Sequence, residues 1–352
     1  MKKFLSILLV LCLVLLSSCG EKENETTTNP TQNGNVATKK KIVMVATGEA
    51  GGFWSVVEKG ARDAAKKYDC TIVFEGTQRN GVYNIEAQKN VVADVIDEGA
   101  SGIIISSVGD GFDELMTIAF DKKIPVVEFE SGLSSKDKNT LNREKKNPIV
   151  STVGADERST GALCAEKMFE QIKESAEKSE SKLKIGVIYD SSIRSAEKRV
   201  DGFAEKLNEL VEANEKTKDK FEFIRRSCDK DKVDDSLEDF AENKVNFIFL
   251  AGESVVNVTA DEVLKNPSVY KGISFWGFDS GAKQLKWLET QGQQANLNGS
   301  VARDAYNMGF NAVEQCFKAA VGEETKQDIL IKSHWYDKDN VDKLLQDKIV
   351  YK

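Results

Sequence analysis

From Lys41 onward, short apolar runs alternate with longer stretches of helical periodicity, and the whole series then occurs a second time. Ile42–Ala46, Ile72–Phe74, Ile103–Ile105 and Val126–Phe129 have the length and apolar content of buried strands. Between the first two, Phe53, Val56, Val57, Gly60, Ala61, Ala64 and Ala65 follow the i, i+3, i+4 rhythm of one helical face. A second helix carries Val91, Val92, Val95 and Ile96, and a third spans about Phe112 to Asp121. The series restarts with strand candidates Ile185–Ile188, Phe221–Ile224, Phe247–Leu250 and Ile273–Trp276. Glu58–Ala65 (EKGARDAA) has a counterpart in Lys198–Leu207 (KRVDGFAEKL), each on the first helix of its half. Strands separated by helices pair in parallel, so the order predicts an α/β fold with parallel sheets in two similar lobes.

The chain must then pass between lobes. Ile149–Val153 followed by Gly154, Ala155 and Asp156 leads into a helix over Glu157–Ile172, which marks a first crossing. Leu297–Val301, a helix over Ala305–Ala320 and a strand at Ile329–Ile331 imply that it crosses back. The expected division is 41–154 with 303–328 for the N-terminal lobe, and 155–302 with 329–352 for the C-terminal lobe.

The N-terminus is of another kind. Lys2 and Lys3, an apolar run from Phe4 to Leu16, and then Ser17, Ser18 and Cys19 have the grammar of a secretory signal peptide over 1–18. The run is shorter than the about 20 residues a spanning helix needs. Leu16-Ser17-Ser18-Cys19 resembles a bacterial lipobox, which makes Cys19 the expected lipidation site and the mature N-terminus. Residues 19–40 then form a polar tether with too little apolar surface to fold.

Charge and composition exclude several function classes. The formal charge of −8 would fall to −10 with the loss of Lys2 and Lys3, and nucleic-acid binding needs the opposite sign. A single histidine, His334, leaves no material for imidazole triads or multi-histidine metal sites. Cys70, Cys164, Cys228 and Cys316 are scattered without CxxC spacing and are expected as small core residues, with one disulfide possible after export. No nucleophile stands beside a base, so the expectation is binding without catalysis and without cofactor or metal.

In open α/β sheets, ligands sit beyond the carboxyl ends of the strands. Residues in that position include Thr47, Gly48, Glu49, Phe53 and Trp54; Ser106 and Ser107; Glu130 and Ser131; Asp190, Ser191, Ser192 and Arg194; Gly252 and Glu253; and Asp279 and Ser280. Phe53 and Trp54 point about 100° apart on a helix, so both cannot face the core. At least one is expected to offer a flat apolar face to a sugar ring. Glu130 and Asp279 each follow an apolar strand, in VVEFE and FWGFD, where a carboxylate is costly to bury without partners. Ligand hydroxyls would satisfy them, as would an ion pair or a helix cap. Arg194 and Arg303 follow strands and could donate to a ligand oxygen or form salt bridges. Gly48–Gly52 lacks GxGxxG spacing, and Glu49 would repel a pyrophosphate, which argues against a dinucleotide.

The segments KIVMVATGEAGGFWSVVEKGARDAA, GASGIIISSV, KKIPVVEFES, VGADERSTGALCAEKM, SAEKRVDGF, WGFD and VARDAYNMG together resemble the type I periplasmic binding proteins, in particular the ribose- and galactose-binding branch. The resemblance runs from about Lys41 to Tyr351. It implies two Rossmann-like lobes joined by three hinge crossings, with a ligand held between them and delivered to an ABC importer or a chemoreceptor. It further implies that Phe53 and Trp54 flank a sugar, that Glu130 and Asp279 supply the acidic groups, and that Arg303 stands where an amide is usual. The sequence departs from that pattern at Glu197, where the family has an arginine that Arg194 could replace. It departs again at Gly252-Glu253, in place of Asn-Asp, and at Glu49–Gly52.

The function expected on these grounds is the substrate-binding component of an ABC sugar importer, a lipid-anchored monomer facing the periplasm or cell exterior and closing on a monosaccharide or sugar derivative. The alternatives are a sensor feeding a chemoreceptor or histidine kinase, and a binding protein for a nucleoside or amine-bearing ligand.

Overall fold

In a computed structural model that describes residues 39–48, 51–78, 84–107, 109–191, 193–229, 232–290 and 295–352, the apolar runs become strands of two sheets. The chain begins β1 (Lys41–Ala46), α1 (Gly52–Lys67), β2 (Thr71–Gly76), α2 (Ile85–Asp97), β3 (Gly102–Ile105), α3 (Asp113–Asp121), β4 (Val126–Phe129), α4 (Ser135–Glu144), β5 (Ile149–Ala155). It continues α5 (Glu157–Lys178), β6 (Leu183–Asp190), α6 (Arg194–Glu212), β7 (Phe221–Cys228), α7 (Val233–Glu242), β8 (Phe247–Leu250), α8 (Glu253–Lys265), β9 (Ser274–Phe278), α9 (Ala282–Glu289), β10 (Asn296–Arg303). It ends α10 (Ala305–Ala320), β11 (Asp328–Ile331), β12 (Ser333–Tyr336), α11 (Val341–Gln346). The expected leader, Cys19 and all of the tether except Lys39 and Lys40 lie outside the described residues, as does Glu49. No described helix is long and apolar enough to cross a membrane.

The first sheet has the order β2-β1-β3-β4-β5-β11, and the second β7-β6-β8-β9-β10-β12. All pairs are parallel except β10 with β12. Alternation decides which face each residue covers. Ile42, Met44, Ile104 and Val127 pack on one side of the first sheet, and Val43, Val45, Ile103 and Val126 on the other. Both faces are buried, which is why these strands read as continuous apolar runs. Cys164, Cys228 and Cys316 are buried and Cys70 half-buried, each as a free thiol.

The duplication is carried by glycines. A methyl group at Gly60 of α1 would lie 2.0 Å from the Tyr306 carbonyl oxygen of α10, and one at Gly202 of α6 would lie 2.1 Å from the Arg158 carbonyl oxygen of α5. Each lobe thus brings two helix backbones together at the matching glycine of the repeated segment, where any larger residue would force them apart.

Three short passages join the lobes: between β5 and α5, between β10 and α10, and between β11 and β12. The first two use the same device. Asp156 accepts from the Ser159 amide at 3.1 Å and Asp304 from the Asn307 amide at 3.0 Å, so each crossing strand ends on a capped helix, a contact worth about 1 kcal/mol.

The expected lobe boundaries need correction. The sequence places residues 329–352 wholly in the C-terminal lobe and Arg303 in the N-terminal one, but β11 pairs with β5 over Asp328–Ile331 and extends the first sheet. Arg303 pairs with Ser333 as the last residue of β10 in the second sheet. The β11 pairing covers the open edge of β5, and Lys332 alone separates β11 from β12 in the second sheet. The last residues are also shared: Val350 joins the core of the second lobe and Tyr351 that of the first.

Candidate functional site

Strand order reverses at β1, which lies between β2 and β3, and at β6, between β7 and β8. Loops diverge at such points and leave a crevice at the carboxyl ends of the strands. The two crevices face one cavity of about 650 Å³. Among the residues singled out from sequence, Thr47, Phe53, Trp54, Ser107, Glu130, Ser131, Arg194, Gly252, Glu253, Asp279 and Arg303 line it.

Arg303, the last residue of β10, stands at its centre. Its Nε donates to Asp279 Oδ1 at 3.0 Å and its Nη2 to Asp279 Oδ2 at 2.5 Å, a two-pronged pairing within the second lobe. Its Nη1 donates to Glu130 Oε1 of the first lobe at 2.9 Å. The guanidinium lies 4.0 Å from the Phe53 ring centroid and 5.0 Å from that of Phe278. Burial alone would disfavour the Arg303 cation, but Asp279 and Glu130 reverse that and hold it more firmly protonated than usual. Burial likewise opposes the Glu130 carboxylate, and Arg303, with help from Ser131 and Arg199, outweighs it and lowers the pKa.

Backbone shape sets the two acids in place. Glu130 and Asp279 follow β4 and β9 with φ of 54° and 59°. Their amides donate to the Val153 and Val301 carbonyls of the neighbouring strands at 2.9 and 2.8 Å. This left-handed turn is strained for a residue with a side chain, and it aims both carboxylates at Arg303.

Phe53 is buried and Trp54 half-buried; the rings meet edge to face at 5.3 Å, and Trp54 also packs on Phe129 at 5.7 Å. A side chain at Gly48 would collide with the indole. Glu253 opens α8 and, among the described residues, accepts from the Tyr351 hydroxyl at 3.5 Å. Burial, then the nearby Asp279 charge, push its pKa up to about 7. Arg194 reaches across the cleft, donating to the Gly132 carbonyl at 3.2 Å and to Ser107 Oγ at 3.4 Å.

Arg199 also lines the cavity and escaped the sequence reading. It is buried against Phe278, with its guanidinium carbon 3.2 Å from the ring centroid, and it pairs with Glu157 at 2.7 Å. A signal was there: Ala196, Arg199, Val200, Phe203 and Leu207 have helical spacing, so the arginine falls on the buried stripe of α6.

In this arrangement a charged donor set, two fixed carboxylates and two aromatic side chains converge on one cleft, which suits a polar ring with hydroxyls around its rim. Solved structures share the whole architecture. An "ABC transporter, LacI family transcriptional regulator" from Brachyspira murdochii is 25% identical, with a TM-score of 0.76 over 89% of this chain and 99% of its own. An ABC transporter solute binding protein from Agrobacterium vitis with bound D-fucose is 21% identical, with a TM-score of 0.70, covering 88% of this chain and 100% of its own. A second from Agrobacterium vitis, bound with alpha-D-tagatopyranose, is 17% identical, with a TM-score of 0.72, covering 89% of this chain and 100% of its own. No match is found among curated protein sequences. Residues 42–324, most of the chain, match the family model described as periplasmic binding protein domain, and the chain belongs to that family.

Proposed function

We propose that the chain is the substrate-binding component of an ABC importer and that it holds a neutral sugar between its lobes. The observation that carries this reading is Arg303, 4.0 Å from the Phe53 ring centroid and bracketed by Asp279 and Glu130. An aromatic face suits the C–H side of a sugar ring, and charge-assisted bonds from the arginine and acids suit its hydroxyls. Two of the similar structures carry D-fucose and tagatopyranose, which supports the same substrate class.

Binding works by lobe closure. The ligand meets one lobe first, and contacts with the second draw the equilibrium toward the closed form. Glu130, Ser107 and the Gly132 carbonyl come from the first lobe, and Arg303, Asp279 and Arg194 from the second, so a ligand touching both sets favours closure. The lipobox-like Leu16–Cys19 segment supports export and attachment to the membrane through lipid on Cys19, with the folded part acting as a monomer on a tether.

Thermal melting against pentoses, hexoses, polyols, nucleosides and amino acids tests the substrate class. A sugar at 100 times its Kd adds about 2.7 kcal/mol to stability and raises the midpoint. A response to a nucleoside or amino acid with none to any sugar would overturn the reading.

A further inference from the structure

The cavity is larger than one sugar ring requires. A hexose has about twelve non-hydrogen atoms, each needing less than the about 30 Å³ a water molecule claims in the liquid, so it fills at most roughly 360 Å³. The cavity of about 650 Å³ leaves a large remainder. That remainder has a direction. Glu253, Ser254, Asn257, Val258 and Asp261 line the cavity from α8, at positions i, i+1, i+4, i+5 and i+8 of one helix face. Such a stripe extends about 12 Å along the helix axis.

Its inner end, Glu253, abuts Tyr351 and the Asp279 region. Its outer end carries different chemistry. Asn257, one turn further out, makes no side-chain hydrogen bond among the described residues. Val258 supplies an apolar surface between it and Asp261, which pairs with Lys283 of α9. The side chains of that pair are 63% and 52% exposed, and ion pairs of that kind contribute little, so either partner is free to turn to a ligand hydroxyl. An unpaired amide beside an apolar strip and a loosely held ion pair is what a second sugar ring would satisfy.

We propose that the ligand is a disaccharide, with one ring at Arg303 and the second laid along α8 against Asn257 and Val258. This rests on the sugar reading above. Isothermal titration of the full chain with glucose, galactose, xylose and arabinose, and with maltose, cellobiose, lactose, melibiose, xylobiose and arabinobiose, tests it. The expected result is a disaccharide that binds at least about tenfold more tightly than either of its component sugars. Asn257→Ala should narrow that ratio about two- to tenfold, the share of one hydrogen bond. Asn257→Trp, which fills the outer part of the cavity, should abolish the preference. Monosaccharides that bind as well as their disaccharides would overturn the second subsite and leave the sugar reading intact. A disaccharide preference unmoved by both variants would overturn its placement along α8. Failure of every sugar to bind would overturn both readings.

Discussion

Glu130 and Asp279 occupy equivalent places in the two lobes, yet they hold Arg303 in different ways. Both follow the fourth apolar strand of their half in a left-handed turn anchored to the next strand. Asp279 is fully buried, gives both oxygens to Arg303, and accepts on its backbone carbonyl from Ser300 Oγ at 2.8 Å and the Tyr336 hydroxyl at 2.9 Å. Glu130 gives one oxygen to Arg303 and shares the other with Ser131. Arg303 belongs to β10, in the sheet that holds Asp279, so the paired contact lies inside one lobe and the single contact spans two. The difference predicts which bond would give way on opening of the cleft: Arg303 should stay with the second lobe and release Glu130.

The largest expected effect breaks the fixed side. Arg303→Ala leaves Asp279 buried without its cation and should destabilise the chain by about 3–5 kcal/mol, read from urea unfolding. A loss below about 1 kcal/mol would mean that water or another group replaces the pair.

The acid beside this centre should oppose Glu130 in its response to pH. Glu253 protonates more readily in the folded chain than in the unfolded one, with a pKa pushed up to about 7 by burial and by Asp279. Its contribution therefore favours folding at acid pH and is lost as pH rises from about 4.5 toward 7, a change on the order of 2–3 kcal/mol. Glu253→Gln should remove that loss, so the variant gains on the wild type across the same interval. Glu130, whose pKa is lowered against burial by Arg303, contributes above the ordinary carboxylate range and loses that contribution as acid protonates it. Glu130→Gln should flatten the acid side alone. Parallel pH profiles for the two variants would refute the contrast.

The smallest effect concerns the cross-cleft reach of Arg194. Its bonds go to a neutral carbonyl and a hydroxyl, so Arg194→Ala should cost about 0.5–1 kcal/mol. It should also raise the ligand-free radius of gyration in small-angle scattering. An unchanged radius would show that Arg194 does not hold the lobes together.

Much of this was legible in the residues because burial on both faces of a parallel sheet leaves a plain trace. The runs at Ile42, Ile103, Val126, Phe247 and Leu297 all became strands, and the polar residues after them converge on one cavity. Helix α4 left little trace because, of its residues, only Asp137 and Leu141 are buried, and its start rests on Ser134 capping the Asp137 amide. β12 was missed because its SHWY sequence lacks an apolar run, and it is fixed by antiparallel pairing with β10. In the site, Arg303 and Asp279 stood out as charges after apolar strands. Their pairing depends on strands β9 and β10 lying side by side, a tertiary fact that no local spacing announces. Arg199 was hidden for the opposite reason, since it lies within a helix and not at a strand end.

The most direct test of the central claim is titration of a responding sugar into the wild type and into Asp279→Asn, with circular dichroism confirming that the variant is folded. The amide preserves shape but loses the charge that fixes Arg303, so affinity should fall by about a hundredfold, the scale of a charge-assisted bond. Equal affinity in the two proteins would place the ligand elsewhere and contradict the account.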